Sequence, residues 1–264
     1  MGILNVTPDS FSDGGLYIDV EKAIAHGRAL AEQGADIIDI GGESTRPGSS
    51  RVGADEQVHR VLPVIERLRA QLSDDVSISI DTTLSVVARA ALTAGASIIN
   101  DISAGRDDPE ILALARDHRA PIILMHMQGT PETMQDDPRY DDVVAEVKAF
   151  LKSRAQVAQR AGVPRDKIIL DPGIGFGKTR EHNLSLLAHL SSFVRLGYPI
   201  LLGASRKRFM GSLCNVAVPA ELVPATCAAT ALGVMAGARL FRVHDVAANR
   251  QAAEVAWAVK TSMT

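Results

Sequence analysis

The chain has 264 residues, of which 46% are hydrophobic, 4% aromatic and 22% charged, with a formal net charge of −3. The apolar share excludes a disordered chain, and the balanced charge argues against a broad nucleic-acid or membrane interface while permitting a local cationic pocket. Two cysteines, Cys214 and Cys227, are too few for a disulfide framework or a cysteine-based zinc site. No apolar run approaches the roughly 18 residues of a membrane helix, and no basic leader precedes an apolar stretch, so we expect a cytoplasmic protein.

A weak repeat runs along the chain, in which a helical segment ends at glycine and a short apolar strand follows. Gly34 and Gly95 show the pattern, since each precedes an alanine and then an Ile-Ile pair. Glycine suits the left-handed position after a helix, and β-branched runs without alternation suit parallel strands buried on both faces. The predicted strands are Gly2–Val6, Asp36–Ile40, Val76–Asp81, Ser97–Ile102, Pro121–His126, Lys167–Asp171, Pro199–Gly203 and Arg239–His244. The predicted helices are Val20–Gln33, Ala54–Gln71, Leu84–Ala94, Pro109–Asp117, Asp141–Ala161, Asn183–Ser191, Glu221–Ala236 and Ala247–Lys260.

Eight strand–helix units of about 33 residues each predict an α/β fold, a (β/α)8 TIM barrel forming one domain over residues 1–264. The main alternative is a doubly wound sheet, which uses the same alternation. Its usual first turn is G-x-G-x-x-G, whereas the first turn here reads NVTPDSFSDGG. The longest predicted loops all follow strands, and in a barrel they share the face that carries the active site. These loops are Thr7–Asp19, Gly41–Gly53, Met127–Tyr140 and Pro172–His182.

Nearly every predicted strand ends on a polar residue, and buried polar groups must find partners. The strand-end residues are Asn5, Asp39, Asp81, Asn100, Asp101, His126, Asp171, Arg242 and His244, with Ser205, Arg206 and Lys207 after the seventh strand. We interpret Asp39 and Asp101 as loop-orienting or capping residues. Carboxylates and an amide suit a planar heterocycle with N–H donors along one edge, and cations suit a phosphate or carboxylate. The first kind comprises Asp81, Asn100 and Asp171; the second comprises Arg46, Lys207, Arg242 and His244.

Three local features admit a plainer interpretation than catalysis. The segment GIGFGKT (173–179) looks like a phosphate loop but fits neither nucleotide-loop spacing, so its glycines indicate a tight turn or close backbone approach. His126 has no second histidine at metal spacing and is interpreted as a hydrogen-bonding residue at a strand end. The serines Ser10 and Ser12 lack a nucleophile elbow.

Eight blocks of sequence carry a specific resemblance. In chain order they are GILNVTPDSFSDGG (2–15), GGESTRPG (41–48), SIDT (79–82), NDIS (100–103), LMHMQGTPETMQ (124–135), ILDPGIGFGKT (169–179), GASRKRF (203–209) and RVHDV (242–246). Through them the chain resembles the dihydropteroate synthases of folate biosynthesis over essentially its whole length. The resemblance implies a TIM barrel, usually a homodimer, that joins 7,8-dihydropterin-6-ylmethyl diphosphate to 4-aminobenzoate and releases pyrophosphate.

The resemblance also assigns roles to individual residues. The pterin ring would be held by Asp81, Asn100, Asp171 and Lys207, with Met125 and Phe176 packed on it. Arg242 would lie against the ring and reach the diphosphate, whose site His244, Asn5, Thr45 and Arg46 would complete. Asn5 would also be a Mg²⁺ ligand. Phe11, Asp13, Arg46 and Pro47 would close over the 4-aminobenzoate, whose carboxylate would meet the helix start at Lys207 and Arg208.

The implied reaction is a dissociative displacement, in which pyrophosphate leaves before the aniline nitrogen attacks and Asp13 steadies the pterin cation. The catalytic set is then Asp13, Arg46, Lys207, Arg242 and His244. We expect Arg242→Ala or Asp81→Ala to lower turnover strongly in a folded protein.

Two alternative functions are that of a methyltetrahydrofolate-dependent corrinoid methyltransferase and that of a non-catalytic pterin-binding homologue. The joint presence of the two loop motifs and the cationic residues argues against both.

Overall fold

The protein's computed structural model describes residues 1–7, 16–44 and 48–263, without the side chains of residues 16–19. Its eight parallel strands are β1 (Gly2–Asn5), β2 (Ile37–Gly41), β3 (Ser77–Asp81), β4 (Ile98–Asp101), β5 (Ile122–Met125), β6 (Ile168–Asp171), β7 (Leu201–Leu202) and β8 (Leu240–Phe241). Strands β1 to β6 pair in chain order, and β7 pairs with β8. Parallel bridges join Leu170 to Ile200 and Gly2 to Val243. The sheet therefore closes on itself, and the predicted barrel is confirmed.

Helices cover the outside of the barrel. Within the described ranges they are α1 (Leu16–Glu32), α2 (Ala54–Arg69), α3 (Ser85–Thr93), α4 (Glu110–Asp117), α5 (Val143–Arg160), α6 (Arg180–Ala188), α7 (Leu190–Val194), α8 (Arg208–Cys214), α9 (Val223–Ala236) and α10 (Val246–Thr261). The helix predicted over Asn183–Ser191 is instead two helices, and α6 starts earlier than predicted. Thr179 and His182 form a capping box there, each accepting the other's backbone N–H at 3.2 Å. The short helix α8 lies outside the predicted set.

Side chains that point into the barrel form two layers of different chemistry. The lower layer is an apolar plug of Met1, Ile37, Ile98, Ile123, Ile169, Leu201 and Leu240. Because side chains alternate across a strand, residues two positions further along occupy the layer above. In that upper layer lie Ile3, Asp39, Asn100, Met125, Asp171, Gly203 and Arg242. The interior thus changes from apolar to polar toward the carboxyl ends of the strands, where the predicted site residues lie.

One helical stretch is longer and more apolar than the sequence analysis expected. Pro219–Ala236 is the single stretch in the described ranges that is long and apolar enough, by length and composition, to cross a membrane. Its first four residues form a 3-10 turn, which leaves 14 residues in α9. Buried Thr230 on α9 donates to Asn249 of α10 at 2.7 Å. This polar contact ties α9 to its neighbour on the barrel wall.

The ends of α1, α3, α5 and α9 follow the predicted glycine rule, whereas the end of α4 does not. Gly34, Gly95 and Gly162 have φ of 93°, 113° and 95°, and each donates its N–H to the carbonyl three residues back. The residue that follows each glycine donates to the carbonyl five residues back, which completes a Schellman motif. After α4 the same two bonds form around Arg119, whose φ is 51°. A residue with a Cβ therefore occupies a left-handed position that glycine tolerates better.

We expect Arg119→Gly to raise the free energy of unfolding by roughly 0.5–1 kcal/mol, because relief of left-handed strain exceeds glycine's extra entropy in the unfolded chain. Urea denaturation would measure the change. Gly34→Ala is the matched reverse substitution. A Cβ at this position would meet only Arg250 Cγ, at 3.9 Å, so the substitution isolates the effect of the backbone conformation. It should destabilise by about 1 kcal/mol. An Arg119→Gly midpoint at or below wild type would mean that the arginine side chain outweighs the strain.

Candidate active site

A buried ion-pair cluster occupies the centre of the barrel mouth. Arg242 donates from Nε to Asp39 Oδ2 at 2.6 Å and from Nη2 to Asp81 Oδ2 at 2.7 Å. The Asp39 side chain is fully buried, and those of Asp81 and Arg242 are 7% and 18% exposed. Burial raises the pKa of Asp81, whereas the positive charge of Arg242 lowers it. Burial also disfavours charge on Arg242, but the two carboxylates raise its pKa above the usual value.

Asp39 corrects one of the sequence interpretations. It does not cap or orient a loop, since it lies inside the barrel and also accepts a hydrogen bond from Asn100 Nδ2 at 3.1 Å. Asp101 does have the predicted role: its carboxylate accepts the backbone N–H groups of Ser103 and Gly105 at 2.7 and 2.5 Å. Asp39 is therefore a site residue that the sequence analysis missed, although its position two residues after the plug residue Ile37 is a usable signal.

Two further acceptor side chains, Asn100 and Asp171, lie at the mouth with this cluster. Asn100 uses its NH₂ group on Asp39, which leaves its amide oxygen as the free acceptor. Asp171 accepts the N–H of Gly173 on Oδ1 at 2.7 Å, and its Oδ2 points toward the open space beside Gly203. Burial raises the pKa of Asp171 to about 6. Together with Asp81, these groups form an arc suited to a ligand edge that presents N–H donors.

Lys207 and Phe176 form a second group of side chains at the mouth, with Lys207 close enough to Asp171 to interact electrostatically with it. The Lys207 Nζ lies 4.1 Å from the centroid of the Phe176 ring, a cation–π contact. Burial lowers the pKa of Lys207 to about 8, with Arg242 lowering it further and Asp171 raising it. The Phe176 ring also packs against an apolar cluster that contains Met125. The structure thus brings Met125, Phe176 and Lys207 to one side of the mouth.

His244 lies at the end of β8 as a neutral side chain. Its Nδ1 is 2.9 Å from Ser205 Oγ, and the same Oγ accepts the backbone N–H of His244 at 3.1 Å. A neutral ring carries one N–H, and we assign it to Nε2, so that the serine hydroxyl donates to Nδ1 and Nε2–H is available as a donor. Burial lowers the pKa of His244 to about 4, and Arg206 and Arg242 lower it further. At neutral pH the ring therefore offers an anion a hydrogen bond rather than a full positive charge.

Of the remaining predicted residues, the structure describes one and leaves five outside the described ranges. Asn5 ends β1, is half-buried, and its amide makes no hydrogen bond with the described part of the chain. The five residues outside the described ranges are Phe11, Asp13, Thr45, Arg46 and Pro47. Within the described ranges no three His, Cys, Asp or Glu side chains gather where they could hold a metal ion.

The chain is similar to known proteins over nearly all of its length. The family model for pterin binding enzymes matches residues 1–244. The dihydropteroate synthase of Synechocystis is 49% identical over 256 residues, a match that covers 97% of this chain and 88% of that protein. The Xanthomonas albilineans dihydropteroate synthase with 4-aminobenzoic acid superposes with a TM-score of 0.92 at 51% identity, covering 98% and 92% of the two chains. The same enzyme in complex with 7,8-dihydropteroate gives 0.88 at 48% identity with the same coverage.

Proposed function

The chain belongs to the dihydropteroate synthase family of pterin binding enzymes, and we propose how its residues perform that family's step in folate biosynthesis. In this step 7,8-dihydropterin-6-ylmethyl diphosphate reacts with 4-aminobenzoate to give 7,8-dihydropteroate and pyrophosphate. The observation that supports the assignment to this mouth is the group of buried acceptors, Asp81, Asn100 and Asp171, together with buried Lys207 above the apolar plug. Such a site selects a planar ring with donors on one edge and an acceptor on the other.

The pterin ring binds between the arc and the apolar wall. Asp81, Asn100 and Asp171 accept hydrogen bonds from the ring's amino and N–H groups, and Lys207 donates to its acceptor side. Met125 and Phe176 pack on the ring, as their common apolar cluster suggests. Because the charged groups are buried and mutually bonded before any ligand arrives, little reorganisation accompanies binding.

The diphosphate binds at the cationic end of the mouth. Arg242 reaches it beside the ring, His244 donates from Nε2, and Asn5, Thr45 and Arg46 complete the site. A Mg²⁺ ion fits the donor set, because it prefers oxygen ligands and is commonly held by one or two protein groups plus substrate phosphates. Asn5 offers one such amide oxygen, and the described residues hold no acidic cluster that would form a metal cage. When bound, Mg²⁺ supplies charge neutralisation on the leaving group.

The reaction is a displacement without a protein nucleophile. The bond between the pterin methylene carbon and the diphosphate oxygen breaks, and its electron pair leaves with pyrophosphate. The lone pair of the aniline nitrogen then forms the new C–N bond, and the nitrogen loses a proton. Arg242, Lys207 and His244 stabilise the departing charge, and Asp13 steadies the cation. Phe11, Arg46 and Pro47 enclose the 4-aminobenzoate, whose carboxylate meets the start of α8.

The deciding experiment is to measure pyrophosphate release with each substrate omitted in turn. Release should require both the pterin diphosphate and 4-aminobenzoate, and it should stop when EDTA removes Mg²⁺ and return when Mg²⁺ is restored. A thermal shift with the pterin diphosphate tests binding separately. Stabilisation by methyltetrahydrofolate with no pyrophosphate release would favour the corrinoid methyltransferase instead. Pterin binding without any release would favour the non-catalytic homologue.

We also propose that the protein is a homodimer formed through α8, α9 and α10. The support is a group of exposed apolar side chains on these helices and the loop between them, namely Leu213, Val218, Leu232, Met235, Val255, Trp257 and Val259. Leu232 and Val255 are 64% and 66% exposed, which is costly for a monomer.

Leu232→Glu should therefore shift the protein from dimer to monomer in sedimentation velocity, since a charge would be buried at the centre of an apolar interface. Val86→Glu is the matched control, because Val86 is 60% exposed but lies on α3, away from this group. A wild-type protein that sediments as a monomer at micromolar concentration would contradict the proposal.

A further inference from the structure

Lys178 is a buried lysine that the proposed reaction does not use. Only 3% of the residue is exposed. Its Nζ lies 2.8 Å from the carbonyl oxygen of Phe176, 2.9 Å from that of Gly173 and 3.0 Å from His126 Nδ1. The carbonyl oxygen of His126 is further away, at 3.4 Å. A buried lysine is rare without such partners, so this arrangement calls for a physical account.

The partners match the chemistry of an ammonium group. An ammonium has three N–H donors and no acceptor, and three acceptors lie within 3.0 Å. His126 Nδ1 must then be unprotonated, and burial together with Lys178 lowers the pKa of His126 to about 2. The His126 ring is held in turn by an edge contact with Phe150, at 4.8 Å between centroids. Burial lowers the pKa of Lys178 itself to about 7, and in its ammonium form each of the three donors has a fixed acceptor.

The ammonium joins the end of β5 to the turn that follows β6. His126 follows β5, whereas Gly173 and Phe176 belong to the turn. A Cβ on Gly173 would lie 1.9 Å from the carbonyl oxygen of His126, so the turn approaches β5 as closely as backbone allows. Since Phe176 offers its carbonyl to Lys178 and its ring to Lys207, the position of one lysine fixes the aromatic contact of the other.

We propose that Lys178 is a positioning residue for the pterin pocket, whose ammonium fixes the turn at residues 173–177 so that the Phe176 ring lies against Lys207. This inference rests on the proposed function of the pocket. Lys178 contacts no substrate in this proposal and acts only through Phe176 and Lys207. Its loss should therefore affect the binding of the pterin more than the rate of the chemical step.

The test is chemical rescue in the full-length protein. Lys178→Ala removes three carbon atoms and the ammonium nitrogen of the side chain, a fragment that n-propylammonium matches in size and charge. We expect the KM for the pterin diphosphate to rise roughly tenfold or more, with a smaller change in kcat. Added n-propylammonium should restore KM saturably. Lys178→Met fills the same space without a charge, so it should show the raised KM without rescue. Lys152→Ala on the exposed face of α5 is the control, and the same amine should leave wild type unchanged.

A second pair of variants covers the case in which Lys178→Ala does not fold. Asparagine at position 126 keeps an acceptor near the Nδ1 position, whereas leucine removes it. His126→Leu should raise the pterin KM, and His126→Asn should raise it less. A wild-type KM in folded Lys178→Met, or equal KM values for the two His126 variants, would overturn the positioning role. If wild type itself releases no pyrophosphate, the proposed function fails instead, and direct pterin binding by the same variants still tests Lys178.

Discussion

Arg242→Ala is expected to lower the free energy of unfolding by about 3–5 kcal/mol, the usual cost of removing one partner from a buried ion pair. The guanidinium is the ionic partner of both Asp39 and Asp81, and the second oxygen of Asp39 makes no hydrogen bond among the described residues. Without Arg242, two carboxylates would share a buried space and one or both would have to take up a proton. The sequence alone led us to expect a variant that loses turnover but folds normally.

Urea denaturation at neutral pH would measure the loss, and a second substitution would identify its cause. Asp39→Asn in the Arg242→Ala background removes one of the stranded charges, so the double variant should be more stable than Arg242→Ala alone. Arg89→Ala is the control, because Arg89 is an exposed arginine on α3. An Arg242→Ala variant with wild-type stability would show that the cluster does not hold the barrel mouth together.

The same variant should be a poor catalyst even where it is folded. In the proposed site Arg242 links the pterin to the diphosphate, and loss of one preorganised charge of this kind costs about a hundredfold or more in turnover. Pyrophosphate release measured at a temperature where the variant is fully folded would separate this effect from unfolding. Near-normal release there would remove Arg242 from the catalytic set.

The comparison of Asp39 with Asp101 shows why the sequence predicts the rim but not its internal pairing. Both aspartates end an apolar run, and both strands are buried on each face, so hydrophobic alternation does not reveal which side chains point inward. In β2 the inward position falls on Asp39. In β4 it falls on Asn100, and Asp101 therefore turns outward to bind the following loop. Whether such an aspartate points into the barrel or out of it depends on the register between neighbouring strands.

The protonation states of the site residues could not be predicted from the sequence, for a related reason. A histidine after a strand in a cation-rich motif looks like an anion-binding charge. The structure surrounds His244 with Arg206 and Arg242 and gives it a hydroxyl donor, so it stays neutral. The strands themselves were predictable, because each apolar run is short, β-branched and bounded by a glycine and a polar residue. Desolvation and the neighbours across the barrel depend on the closed fold.

Asp171→Asn is expected to weaken binding of the pterin diphosphate by about a hundredfold, or roughly 3 kcal/mol, while leaving the protein folded. Wild-type Asp171 uses one oxygen on the N–H of Gly173 and presents the other to the pocket. An asparagine that keeps the Gly173 bond must turn its NH₂ group toward the ring, where it meets N–H donors. Turned the other way, it abandons Gly173, so neither orientation restores both bonds. Titration of the pterin diphosphate by calorimetry would measure the loss, with exposed Asp166→Asn as the control.

The pH dependence of binding gives this prediction a second, independent readout. Burial raises the pKa of Asp171 from 3.8 in the unfolded chain to about 6, so its carboxylate becomes protonated as pH falls through 6 and stops accepting from the ring. Wild-type affinity should drop over that range, and Asp171→Asn should lack that contribution to the drop. Because the raised pKa means that ionising Asp171 costs stability once pH exceeds 3.8, the asparagine variant should be at least as stable as wild type at pH 7. A variant that loses stability and affinity together would place Asp171 in the scaffold, whereas affinity lost at unchanged or higher stability is the behaviour of a residue kept charged for its ligand.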